Sequence, residues 1–236
     1  MTFAVDRPET FGEPPLSGEC HMLAQDPISL AERDVVLYAG PAASRAKRFL
    51  DIAGSLFGLL LFLPFLSLIA LAIRIESAGP VIFRQRRGGL NGRSFTIYKF
   101  RTMRTLDDGD VIQQASPGDP RITPLGALLR RTSIDELPQL VNVLRGEMSL
   151  VGPRPHALAH DRFYGQLIPL YSQRLRTRPG LTGLAQVAGL RGETRDLDQM
   201  AERVKHDVRY IDEWSFLLDL QLLAGTAKAL SSKRAC

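Results

Sequence analysis

The sequence predicts an α/β protein, mainly helical with a small β-hairpin, carried on one long apolar helix. Three observations predict it. Residues Phe49–Ile73 form a predominantly apolar run of 25 residues in which Asp51 is the only charge. Residues 81–101 hold two alternating segments around the turn pair Asn91-Gly92. Beyond residue 120, apolar side chains return at helical spacing over 124–131, 137–145, 156–177, 196–213 and 214–230.

The chain has 236 residues, enough for one domain with a sizeable core. A hydrophobic share of 44% excludes a fully disordered chain, and 2 cysteines exclude a disulfide scaffold. Cys20 and Cys236 stand at opposite ends and read as reduced thiols of a cytosol-facing protein. The net charge of +5 is small for a soluble nucleic-acid binder, and the apolar run opposes one, so no nucleic-acid partner is expected.

Residues 1–46 carry five prolines and an acidic excess, and read as a poorly ordered leader without a signal peptide's basic start and apolar run. Residues 47–76 are the membrane helix, 77–230 a cytosolic domain and 231–236 a tail. A straight helix over Phe49–Ile73 would reach about 37 Å, against a bilayer core of about 30 Å. Spanning is the plain reading. Pro64, however, removes a backbone hydrogen bond mid-run and bends the helix. Both flanks are also basic, with Arg45, Lys47 and Arg48 before and Arg74, Arg84, Arg86 and Arg87 after. Positive charge tends to stay cytoplasmic. On these grounds spanning and re-entry are evenly matched. Asp51 follows Lys47 by four residues, a spacing that pairs them near the interface.

Residues 74–106 hold eight Lys+Arg and one acid. They read as a juxtamembrane cluster against anionic headgroups. Alternation sets Lys99 and Arg101 on one face of the second strand, where two cations suit a phosphate. A solvated strand face is the simpler reading of that spacing. Residues 107–120 are an acidic, turn-rich loop.

The sharpest chemical candidate is Thr132-Ser133-Ile134-Asp135-Glu136-Leu137-Pro138. Ser133 with Glu136 has the form of a capping box, and Pro138 requires a helix start near Asp135. Adjacent carboxylates at a helix start are ordinary capping residues. Their setting is less ordinary. Arg130 and Arg131 precede them, Gly152-Pro153-Arg154-Pro155 presents a guanidinium, and Arg174, Arg176 and Arg178 follow. Carboxylates among arginines beside a membrane anchor suit phosphoryl transfer, which needs positioning and charge neutralisation, usually with Mg²⁺. A carboxylate can also attack phosphorus directly. His156 and His160 share a helix face, but nothing supplies further zinc ligands. No P-loop or Rossmann glycine pattern is present.

Six segments occur in order: Gly79-Pro80-Val81-Ile82-Phe83-Arg84-Gln85, Tyr98-Lys99-Phe100-Arg101-Thr102-Met103, Asp119-Pro120-Arg121-Ile122-Thr123, Asp135-Glu136-Leu137-Pro138-Gln139-Leu140, Ser149-Leu150-Val151-Gly152-Pro153-Arg154-Pro155 and Arg178-Pro179-Gly180-Leu181-Thr182-Gly183. Over roughly residues 45–230 the series resembles the bacterial sugar transferase family, the monotopic phosphoglycosyl transferases. The resemblance implies transfer of a sugar 1-phosphate from a UDP-sugar to undecaprenyl phosphate, with UMP released. It implies a re-entrant helix anchored by Lys47, Arg48, Asp51 and Pro64, seated in the bacterial inner membrane with the site on its cytoplasmic face. It implies Asp135 as nucleophile and ligand of Mg²⁺, Glu136 as its partner, and Lys99, Arg101, Arg130 and Arg154 as phosphate-binding neighbours.

The family's helix break is usually a Ser-Pro pair, and here it is Leu63-Pro64. His156-Ala157-Leu158-Ala159-His160 and Arg191-Gly192-Glu193-Thr194 resemble the branch that primes exopolysaccharide with glucose 1-phosphate from UDP-glucose. Members of that branch often carry extra N-terminal transmembrane helices, where this sequence has a short polar leader. Galactose or an N-acetylated sugar stays open. Downstream glycosyltransferases and a second copy of the chain are further candidate partners. The competing reading is a non-enzymatic membrane-anchored module that binds lipid or a partner through its basic hairpin.

Overall fold

A computed structural model describes residues 40–104, 119–190, 192, 194 and 196–231, with side chains to residue 226. Most of the expected leader, loop 107–118 and the tail beyond Ser231 lie outside these residues.

Helix α1 (Arg45–Glu76) begins at Ser44, whose hydroxyl accepts from the Lys47 N–H at 3.2 Å. Its 32 residues make it the one described helix long and apolar enough to cross a membrane. Helical assignment continues through Pro64. Three residues on, the Ser67 hydroxyl donates to the Leu63 carbonyl at 2.9 Å. Such back-bonding commonly bends a helix.

The two ends of α1 pack on the same domain. Near its start, Arg48 donates to the carbonyls of Val143 and Leu144. Near its finish, Ile69 and Ile73 share a core cluster with Phe100 and Leu129. Between them, Leu60, Leu61, Phe62, Leu63, Phe65 and Leu68 are exposed. The predicted Lys47–Asp51 pair is not made. Lys47 instead donates to Asp219 and to the Val151 carbonyl, both at 2.8 Å, and Asp51 accepts from Ser149 Oγ and the Leu150 N–H, both at 2.9 Å. Both side chains lie on the face of α1 turned to the domain, where these fixed partners satisfy them better than an exposed i,i+4 contact.

Strands β1 (Ile82–Gly88) and β2 (Ser94–Phe100) form the predicted antiparallel hairpin, with Ile82 opposite Phe100 and Gly88 opposite Ser94. Asn91 and Gly92 take positive φ, 54° and 72°, within the loop that joins the paired ends Gly88 and Ser94. Alternate residues Phe95 and Ile97 turn inward against Val143 and Met148.

Helix α2 (Pro124–Thr132) is capped by Thr123 and ends at Ser133. A 3₁₀ turn (Ile134–Gln139) then leads into α3 (Leu140–Arg145). A second, parallel pair joins β3 (Ser149–Val151) to β4 (Gly180–Thr182). Between them lie α4 (Leu158–Leu167) and a 3₁₀ turn (Tyr171–Arg176), so the single helix expected over 156–177 is broken, at the segment holding Pro169. A short α5 (Leu184–Val187), then α6 (Leu197–Asp212) and α7 (Phe216–Ser231) complete the chain. The parallel pair sits at the centre. Val151 packs with Tyr210, Ile211 and Leu222 from α6 and α7.

Candidate active site

The site is assembled where the 3₁₀ turn, β2 and the loop after β3 meet. Ser133 adopts φ 60°, a left-handed conformation that ends α2 and redirects the chain. The predicted capping box is not formed. Ser133 makes no side-chain cap, and the turn it opens is 3₁₀ rather than α. Glu136 is thereby free to face the domain. Ile134 packs into the cluster of α1 residues Ile69 and Ile73, so the carboxylates sit beside the long apolar helix α1.

Glu136 is buried and fully engaged. Lys99 donates to its Oε1 at 2.9 Å. Arg154 forks across it, with Nη2 on Oε1 at 2.6 Å and Nη1 on Oε2 at 3.2 Å. These cations hold Glu136 well below the usual carboxylate range despite its burial. Asp135 is also buried, yet among the described residues none donates a hydrogen bond to it. Burial first, and the Glu136 charge second, push its pKa up to about 6, against the pull of Lys99, Arg154 and Arg130. The dyad thus splits into one carboxylate locked in an ion-pair cluster and one left open beside it.

Each cation is placed by its own support. Asn142, wholly buried on α3, bridges to β2. Its Nδ2 donates to the Thr96 carbonyl at 2.7 Å and its Oδ1 accepts from the Tyr98 N–H at 3.2 Å. This fixes the strand that carries Lys99. Arg154 stands on Gly152-Pro153, which lies flat against Arg178-Pro179-Gly180. A Cβ at Gly152 would meet the Arg178 carbonyl at 2.5 Å, and one at Gly180 the Gly152 nitrogen at 2.1 Å, so neither position has room for a side chain. Arg174 donates to the Arg154 carbonyl at 2.5 Å and is held by Asp207 at 2.9 Å.

Of the predicted site residues, the structure brings Asp135, Glu136, Lys99 and Arg154 together. Arg130 acts on Asp135 through its field. Arg101 does not join them. It reaches the end of α1 instead, donating to the Ser77 carbonyl at 2.7 Å and to Ser77 Oγ at 2.9 Å. Two residues beyond Lys99, the chain has run past the turn and alongside the α1–β1 connection. Sequence reasoning missed Asn142, Arg203, Asp207 and Asp219. A polar residue at an apolar position of the 137–145 helical pattern was the only signal for Asn142.

Mg²⁺ takes one or two carboxylates and completes its shell with waters and phosphate oxygens. Asp135, with no donor on its oxygens among the described residues, fits that pattern. Glu136, with both oxygens taken, does not. Among the described residues no three His, Cys, Asp or Glu cluster as a cage. His156 is directed to another task, since its Nδ1 lies 2.6 Å from both Arg174 Nη1 and Tyr171 Oη. An apolar cavity of about 230 Å³ opens beside Glu136, walled by Leu137, Leu150, Leu181, Val187 and Leu223.

A buried carboxylate beside an arginine clamp suits group transfer, and α1 is long and apolar enough to cross a membrane. The chain belongs to the bacterial sugar transferase family, whose sequence model matches residues 42–233. Among its relatives, the UDP-glucose:undecaprenyl-phosphate glucose-1-phosphate transferase of Caulobacter vibrioides is 48% identical over 92% of this chain and 84% of its own length. The Escherichia coli protein of the same name is 50% identical over 75% of this chain and 38% of its own. The UDP-N-acetylgalactosamine-undecaprenyl-phosphate N-acetylgalactosaminephosphotransferase of Aeromonas hydrophila is 39% identical over 82% of this chain and 45% of its own. The chain therefore spans most of the first relative and less than half of the other two.

Proposed function

We propose that this protein transfers glucose 1-phosphate from UDP-glucose to undecaprenyl phosphate, giving undecaprenyl-diphosphate glucose and UMP, as the priming step of exopolysaccharide synthesis. The reading of the sugar is supported by the higher identity to glucose-1-phosphate transferases, 48% and 50%, than to the N-acetylgalactosamine enzyme, 39%.

The observation that carries the chemistry is Asp135, buried without a hydrogen-bond donor among the described residues, next to a clamped Glu136. An Asp135 carboxylate oxygen attacks the sugar-linked phosphorus. The bond from that phosphorus to the bridging oxygen breaks, and UMP departs with the electron pair. A lipid phosphate oxygen then attacks the same phosphorus and returns the carboxylate. Being unclamped and poorly solvated, Asp135 is the better nucleophile of the two acids. Lys99 and Arg154 keep Glu136 ionised and face the charge that develops on the phosphoryl oxygens. Mg²⁺, bound at Asp135, would neutralise the donor's diphosphate.

Both ends of α1 rest on one domain, and a domain occupies one side of a bilayer. This supports a re-entrant helix dipping into the cytoplasmic leaflet of the inner membrane, bent at Pro64 and Ser67. The apolar cavity beside Glu136 suits the first isoprene units of the lipid. Intact-mass measurement after incubation with UDP-glucose alone tests the mechanism. The expected result is a hexose phosphate adduct on the parent chain and none on Asp135→Asn. Transfer by Asp135→Asn at the parental rate would overturn it. A panel of UDP-sugars tests the sugar, and EDTA with Mg²⁺ restoration tests the metal.

A further inference from the structure

We infer that His156 and Arg203 form a subsite for the nucleotide-side phosphate of the donor, retained by the UMP product. The inference rests on the phosphosugar-transfer reading above and adds where its leaving group is held. Arg203, on α6, is buried, and only one of its donors has a described partner: Nη2 gives a hydrogen bond to the Gly192 carbonyl at 2.9 Å. Its Nε–H is buried and has no acceptor among the described residues. Among the described residues no carboxylate lies within ion-pairing distance of it, although Arg154 is paired with Glu136 and Arg174 with Asp207. A buried guanidinium left this way calls for an anion.

His156 supplies a second donor. Arg174 Nη1 can only donate, so at 2.6 Å it makes His156 Nδ1 an acceptor. Burial and the Arg174 charge keep the ring neutral, and its one proton is then on Nε2. That Nε2 is also buried and has no partner among the described residues. The two donors belong to one cluster, because Arg203 and Asp207 stand four apart on α6 and Asp207 holds the Arg174 that holds His156. The cluster adjoins the back of Arg154, whose carbonyl Arg174 binds and whose guanidinium faces Glu136.

The order Asp135/Glu136, Arg154, Arg203/His156 matches the order of groups in a diphosphate under attack: nucleophile, transferred phosphorus, departing phosphate. The lipid phosphate is the poorer fit. Asp135 neighbours the α1 cluster through Ile134, whereas Met200 and Val204, on the same helix as Arg203, belong to a cluster with Tyr171 that includes no described residue of α1.

The test uses the full chain in nanodiscs and measures binding of UMP, uridine and a short polyprenyl phosphate. Arg203→Gln and His156→Gln should each weaken UMP about 10- to 100-fold, the effect of losing a charge-assisted hydrogen bond, and leave uridine and polyprenyl phosphate unchanged. Arg203→Lys keeps the charge without the fork and should weaken UMP less than Arg203→Gln, which covers failure of the Gln variant to fold. Unchanged UMP affinity overturns the inference, as does equal loss of UMP and uridine, or loss of polyprenyl phosphate instead. UMP binding does not require adduct formation. A missing adduct with intact UMP binding would therefore sink the covalent mechanism and leave this subsite standing.

Discussion

Lys47 Nζ lies 2.8 Å from Asp219 Oδ2, and the pair is almost wholly shut from solvent. It ties the first turns of α1 to α7, with Tyr210 and Trp214 also donating to Asp219 at 2.8 and 3.2 Å. Because Lys47 also grips the Val151 carbonyl, the seating of α1 fixes the strand that runs straight into Gly152-Pro153-Arg154. Removing one partner of such a pair leaves a buried charge and costs about 3–5 kcal/mol. Asp219→Ala should lower the melting temperature in detergent by roughly 6–20 °C. Lys47→Met combined with Asp219→Leu should recover most of the loss, because two apolar side chains leave no charge stranded. Single variants melting within about 2 °C of the parent would refute the tie.

Activity and stability should respond oppositely to pH through Asp135. Its pKa is raised from 3.8 to about 6, so folding favours the protonated acid. The stability this group gives is full below pH 3.8 and is lost as pH rises through about 6. The nucleophile, in contrast, is the ionised form. Adduct formation should fall about tenfold per pH unit below 6 and level off above it. At pH 8, Asp135→Asn should abolish the adduct and raise stability, by at most about 3 kcal/mol. A flat rate between pH 5 and 8 in rapid-mixing experiments would contradict this assignment.

Glu136 should tune its neighbour. Glu136→Gln removes a like charge from beside Asp135 and leaves Lys99 and Arg154 positive, and both changes lower the Asp135 pKa. The acid limb of the rate should therefore move below pH 6, while the overall rate drops because Arg154 loses its fork. A limb that stays put or moves up would show that Glu136 does not act on Asp135 through charge.

How far the sequence was legible follows from the range of each interaction. The apolar run, the hairpin and its Asn91-Gly92 reversal depend on neighbours within a few residues, and they are where local pattern puts them. The acidic pair and Lys99 and Arg154 were visible as residue types, but their union at Glu136 joins positions 37 and 18 residues apart. Arg101 shows the limit. Alternation gives it the parity of Lys99, but it lies beyond the end of β2 and bonds Ser77 at the end of α1. Ser133 shows another: a capping box was the local solution, and a left-handed Ser133 replaced it because Ile134 is drawn into the α1 cluster. Asp219, Asp207 and Arg203 lie on α6 and α7, where polar residues read as solvent-facing until tertiary contacts bury them.

The topology of α1 yields the last prediction. Ala46 lies in the first turn of α1 and Ala78 just beyond its last residue, and both are exposed. A spanning helix would set them on opposite sides of the bilayer. The packing of Arg48 on Val143 and of Ile73 on Phe100 ties both flanks to one folded unit. Crossing the membrane would tear one of these contacts away, since a domain of this polarity does not sit in hydrocarbon. In a background with Cys20 and Cys236 replaced by serine, Ala46→Cys and Ala78→Cys should both resist an impermeant maleimide added to intact cells. Both should label once the inner membrane is opened. If one position labels from outside while the other stays protected, the helix crosses, and the packing of its far end on the domain is not kept in the membrane.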